Sequence, residues 1–118
     1  MKRITPEQVV EAYKQRGWRP RRSEWAVIDA EGNNCGCGLA VVAGFDIYQL
    51  FEKLNDYNTV HHSVVMANEL DLNLDYVTGY TAGFDGLAAE PWMDEETCRI
   101  GYEDGAAAWE AVSKEVIS

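Results

Sequence analysis

Apolar positions recur at helical spacing over most of the chain and alternate in one short stretch. Val9, Val10 and Tyr13 form a helical stripe behind Thr5-Pro6-Glu7-Gln8, a capping box with proline in the first turn. Gly17 predicts the stop, and Arg19-Pro20 forbids continuation. Trp25 and Val27 alternate with smaller or polar neighbours, so Glu24–Asp29 reads as a short strand, followed by the turn residues Glu31-Gly32-Asn33-Asn34. Cys37–Ala43 fits either a second strand or a short helix beginning at the glycines, and periodicity does not separate the two.

Further on the period is helical throughout. Asp46 is the expected cap of Ile47–Leu54, whose Ile47, Leu50, Phe51 and Leu54 share a face. Thr59 is the expected cap of Val60–Leu70, with Val60, Val64 and Ala67 aligned, and Asn73 opens a third segment running to Asp85-Gly86. After Pro91, Asp94 is expected to start a last helix from Glu95 to about Val116, with Ile100, Ala107, Trp109, Ala111 and Val112 inward. The predicted class is mainly α, an α+β fold with a minor β element. One domain over 1–118 carries four to five helices and a strand or hairpin near 24–42.

Two of these helices share an unusual texture. Gly79 and Gly83 interleave with Tyr76, Tyr80 and Phe84, and Gly101 and Gly105 with Tyr102 and Trp109. A helical glycine costs about 1 kcal/mol relative to alanine, so four of them call for a packing reason. Spacing of four puts each pair on one face, which predicts a single tight crossing of Gly79/Gly83 on Gly101/Gly105. Asp85, beside a helix C-terminus, and Asp104, mid-helix, are poorly placed by local propensity. Each is expected to accept hydrogen bonds that lock the crossing; the functional alternative is a carboxylate pair for metal or acid/base work.

The run Tyr76-Val77-Thr78-Gly79-Tyr80-Thr81-Ala82-Gly83-Phe84-Asp85-Gly86, then Gly101-Tyr102-Glu103-Asp104-Gly105-Ala106-Ala107-Ala108-Trp109, with Cys37-Gly38-Leu39 upstream, resembles a group of short bacterial proteins. They share this pair of glycine–aromatic helices. The resemblance implies a common helical fold and carries no activity.

Composition alters the picture mainly through charge. The net charge is −10, unevenly spread. Residues 1–22 hold seven basic and two acidic side chains, a net of +5, and residues 23–118 hold eighteen acidic and three basic, a net of −15. Such a body repels nucleic acid and favours a basic partner surface. Residues 63–85 have the apolar spacing of a helix-turn-helix, but the would-be recognition helix carries Asp75 and Asp85 and no cation, so direct nucleic-acid binding is not expected. No apolar run reaches the roughly 20 residues of a membrane span. Cys35, Cys37 and Cys98 are odd in number and Cys35-Gly36-Cys37 is too close for a zinc pair, so neither a disulfide framework nor a metal is expected. Phosphate-loop, dinucleotide, nucleophile-elbow and zincin motifs are absent.

The leading expectation is a cytoplasmic, non-enzymatic interaction or inhibitor protein without a cofactor (in the host cytoplasm if phage-encoded). Its acidic surface, at Asp71, Asp75, Glu90, Asp94, Glu95, Glu96 and Glu103, would occupy a basic surface of a partner protein, as nucleic-acid mimics and phage anti-defence proteins do. A homo-oligomer is left open. A second reading is a small-molecule pocket of Tyr80, Tyr102 and Trp109 with Arg19, Arg21 and Arg22 for an anionic group. A third is an enzyme using Asp85 and Asp104.

Overall fold

The computed structural model describes residues 1–55, 62–90 and 95–117. The expected cap Thr59, with Val60, Pro91 and Asp94, lies outside them. Helix α1 (Pro6–Arg16) begins at the Thr5/Gln8 capping box and ends at Gly17, whose φ of 69° is left-handed. Strands β1 (Arg19–Pro20), β2 (Ala26–Ile28) and β3 (Asn34–Gly36) form one small sheet in the order β1-β3-β2. β3 pairs parallel to β1 (Arg19 with Cys35) and antiparallel to β2 (Val27 with Cys35). Asp29 builds the β2–β3 turn: its Oδ1 accepts the backbone N–H groups of Glu31 at 2.9 Å and Asn33 at 2.8 Å.

The open segment resolves as α2 (Gly38–Ala43), which makes six α-helices among the described residues rather than four or five. Helices α3 (Ile47–Asn55) and α4 (His62–Leu70) follow. Asp46 accepts the Tyr48 N–H at 2.9 Å and starts α3, as its sequence position implies. In α4 the buried residues are Ser63, Val65, Met66, Ala67 and Leu70, with Val64 only partly covered. Helix α5 (Leu74–Phe84) is capped by Asn73, which accepts the Asp75 N–H at 2.8 Å. Helix α6 (Glu96–Val112) is capped by Glu95, which accepts the Cys98 N–H at 3.0 Å, and runs into a π-helical turn, Ser113–Ile117. The fold is mainly α with a minor β element.

The last two helices pack backbone to backbone. A Cβ on Gly79 would collide with the Cys98 carbonyl oxygen, and one on Gly83 with that of Tyr102. From the other side, Gly101 sits on the Tyr76 carbonyl and Gly105 on that of Tyr80. A step of four residues along α5 matches a step of four in the same direction along α6, so the helices run parallel and their N-termini lie at one end. Each glycine presents a Cα–H to a carbonyl where any side chain would intrude, a contact worth roughly 0.5–1 kcal/mol. The register also corrects the inward face of α6. Cys98, Gly101, Gly105, Ala108 and Val112 are buried, whereas Ala107 is exposed and Ile100, Trp109 and Ala111 are only partly covered. The face follows the 4-3-4 spacing that the glycines begin.

Tyr76, Tyr80 and Phe84 descend α5 beside the glycine seam, all fully buried. They join Val9, Val10 and Tyr13 of α1, Leu39–Val41 of α2 and Leu50 of α3 in one continuous core. Alanine at an exposed helical glycine is expected to stabilise by about 1 kcal/mol. At Gly83 the sign should reverse: Gly83→Ala is expected to cost about 1–3 kcal/mol, read by urea unfolding, because the methyl group meets backbone that cannot yield.

Candidate functional site

Charge is sorted along the α5–α6 pair. Asp71 and Asp75 lie at the N-terminal end of α5, and Glu95 and Glu96 at that of α6. Because the helices are parallel, these carboxylates come together. The Cys98 thiol between them is pushed up by burial and by the charges of Asp75 and Glu95. Part of this placement is structural, since Asp75 and Glu96 sit in first turns where the helix dipole favours an anion. Glu95 is held below the usual carboxylate range by the N–H groups it caps. Asp71 stands in left-handed backbone, φ 55°, at the end of α4, and Glu90 and Glu103 have no such local role. All of these side chains are exposed, and among the described residues none has an ion-pair partner. Lys2 donates to the Leu70 carbonyl at 2.7 Å, and Arg99 lies in the first turn of α6. Glu103 stands further along α6. Glu90 follows Leu87, whose carbonyl accepts the Tyr102 hydroxyl at 2.5 Å. Asp94 lies outside the described residues.

The arginine tract is engaged within the fold. Arg16 donates to the carbonyls of Val41 and Phe45 and stacks on Trp18. Arg19 lies 3.8 Å from Asp29 and 3.7 Å from Glu31, and Arg21 lies 3.4 Å from Glu24. Arg22 donates to the Phe84 carbonyl at 2.9 Å and lies 3.9 Å over the Trp109 ring, which closes the C-terminal end of α5.

These positions disperse the proposed aromatic–arginine pocket. Tyr80 is fully buried, and its hydroxyl has no hydrogen-bond partner among the described residues. Tyr102 lies over Ala82 and Cys98, apart from the main core, and Trp109 packs edge-on against Phe84 beneath Arg22. Of the six, Arg19 alone lines any of the three main cavities among the described residues. The helix-turn-helix reading loses its recognition helix as well, because α5 buries Tyr76, Val77, Gly79, Tyr80, Ala82, Gly83 and Phe84.

Among the described residues, Asp85 and Asp104 have no partner in common. Asp104 accepts Arg3 in a two-point bridge, at 2.9 Å from Nε and 2.7 Å from Nη2, and the Tyr76 hydroxyl at 2.7 Å. The Tyr76 oxygen in turn accepts the Ile4 N–H at 2.9 Å. Three parts of the chain therefore meet on one carboxylate. Partial burial pushes the Asp104 carboxyl up, but the hydrogen bonds from Arg3 and Tyr76 and the charge of Arg3 together hold it below its ordinary value. Asp85 accepts the Ser23 N–H at 2.8 Å.

Sequence reasoning missed a cavity of about 140 Å³ beside Asp85, lined also by Ser23, Trp25, Cys37, Ser63 and Thr81. Its one advance signal was a carboxylate at the unfavourable end of a helix. Burial pushes the Cys37 thiol up to about 12, so it faces the cavity as a neutral thiol rather than a nucleophile. The three cysteines are free and buried. Among the described residues no group of three or more His, Cys, Asp or Glu is placed to hold a metal ion, and no helix is long and apolar enough to cross a membrane. No family model, curated protein or solved structure matches the chain.

A depressed carboxyl contributes stability above its unfolded value of about 3.9 and loses it as pH falls through the folded one. Asp104→Asn is expected to lower stability by about 1–3 kcal/mol at pH 7, moderated by the solvent exposure of Arg3. The gap from wild type should close below about pH 4, measured by unfolding over a pH series.

Proposed function

We propose that this protein is a non-enzymatic interaction protein that offers the acidic end of the α5–α6 pair to a basic surface of a partner, as small inhibitors and nucleic-acid mimics do. One asymmetry supports this reading. Arg16, Arg19, Arg21 and Arg22 all have partners within the fold, while Asp71, Asp75, Glu90, Glu96 and Glu103 have no ion-pair partner among the described residues. The internal use of the arginines leaves the acidic excess to act outward, where it steers a basic partner and repels phosphate backbones.

A nitrogen-15 titration with an arginine- and lysine-rich peptide is expected to shift amides near residues 71–75 and 95–103 and to leave the β-sheet unmoved. Affinity should fall steeply with salt, as the Debye length shrinks from about 10 Å at 0.1 M to about 3 Å at 1 M. Charge reversal at Asp75, Glu96 and Glu103 together should slow association more than it speeds dissociation. Shifts spread evenly over the surface, or affinity indifferent to salt, would refute the reading.

A further inference from the structure

The cavity beside Asp85 gathers groups from separate parts of the chain. Ser23 and Trp25 come from the segment before β2, Cys37 from the start of α2, Ser63 from α4, and Thr81 and Asp85 from the end of α5. Asp85 is half-buried at the C-cap of α5, where the helix dipole opposes a negative charge. Its carboxylate accepts one hydrogen bond among the described residues, from the Ser23 N–H at 2.8 Å, and takes part in no ion pair there. Arg22 forms no ion pair with it: its guanidinium lies against Gly86 and is directed to the Phe84 carbonyl and the Trp109 ring. Glu24, which also lines the cavity, is paired with Arg21, so Asp85 is the cavity carboxylate without an ion-pair partner among the described residues.

The remaining wall specifies what would compensate it. The Thr81 hydroxyl donates its proton to the Thr78 carbonyl at 3.0 Å, which leaves its oxygen able only to accept. A carboxylate oxygen and an accept-only hydroxyl ask for a donor carrying positive charge, and the Trp25 indole offers apolar surface beside them. A volume of about 140 Å³ has room for a short alkyl chain. The −10 charge of the whole chain favours the approach of such a cation.

We propose that this cavity is a binding site for a primary alkylammonium group, with Asp85 as counter-ion, Thr81 as hydrogen-bond acceptor and Trp25 against the alkyl chain. The site is separate from the acidic end of the α5–α6 pair and does not rest on that reading. The same chemistry is carried by a free small amine and by a lysine side chain of a bound protein, and the two are distinguishable. The probes are n-butylammonium, Nα-acetyl-lysine amide and the neutral n-butanol, titrated into the full chain and followed by amide shifts of Ser23 and Thr81 and the Trp25 indole signal. Saturable binding of butylammonium but not butanol is the expected result. Comparable affinity for the lysine amide would assign a lysine side chain as the source, and its exclusion a free amine.

Asp85→Asn, which keeps the acceptor for the Ser23 N–H, is expected to weaken binding by about tenfold or more. Thr81→Val, which keeps volume, should weaken it several-fold and carries the test if the first variant does not fold. Absence of saturable binding by wild type, affinity for butanol equal to that for butylammonium, or folded variants that bind as wild type does would overturn the proposal.

Discussion

Backbone-to-backbone contact between α5 and α6 is the constraint from which the rest of the structure follows. Gly79, Gly83, Gly101 and Gly105 each face a carbonyl of the other helix where a Cβ would collide. Such contact permits glycine alone at four positions. It also fixes how far one helix slides along the other, since each Cα must sit between successive turns of its neighbour. The parallel sense brings two helix N-termini to one end, with Asp75 on one and Glu95 and Glu96 on the other. Beside the seam, Tyr76, Tyr80 and Phe84 are carried into the core that α1, α2 and α3 enclose.

The N-terminal residues strap this pair at two levels. Arg3 and Ile4 reach Asp104 and Tyr76, joining α6 to α5 through one carboxylate. Arg22 and Ser23 hold the other end, through the Phe84 carbonyl, the Trp109 ring and Asp85. The straps draw on the first 22 residues, where a chain of net charge −10 concentrates its cations. Lys2, Arg3, Arg16 and Arg22 serve helix C-termini, indole faces and a partly buried carboxylate, places where positive charge is favoured. Asp104, poorly suited to a helix interior by propensity, is retained because three donors converge on it, an instance of tertiary contact overriding local preference.

Determinants held within a few neighbouring residues could be read from the sequence. Thr5 with Gln8, Gly17, Asp46 and Asn73 act over one turn, so the starts and stops of the helices were legible. The two four-residue glycine spacings disclosed a close crossing for the same reason. Its parallel sense was not legible, because an identical spacing serves either direction. The face of α6 was misread at Ala107 because three consecutive alanines carry no phase of their own; extending the glycine phase to Ala108 and Val112 would have found it. Cys37–Ala43 stayed ambiguous because a short apolar run fits a buried strand as well as a helix, and its packing, with Phe84 and Val9 against Gly38, is tertiary. The acidic end was visible as composition and located only by the helix pairing. The cavity at Asp85 draws on segments from Ser23 to Asp85, a convergence no window of sequence contains.

Native-state hydrogen exchange tests the central constraint most directly. If the rest of the fold depends on the glycine seam, amides of Val77–Phe84 and Gly101–Ala108 exchange only through global unfolding, with one shared opening free energy and the same denaturant dependence. Separate openings of α5 and α6, each at lower free energy than that of Val9–Tyr13 in α1, would contradict the account.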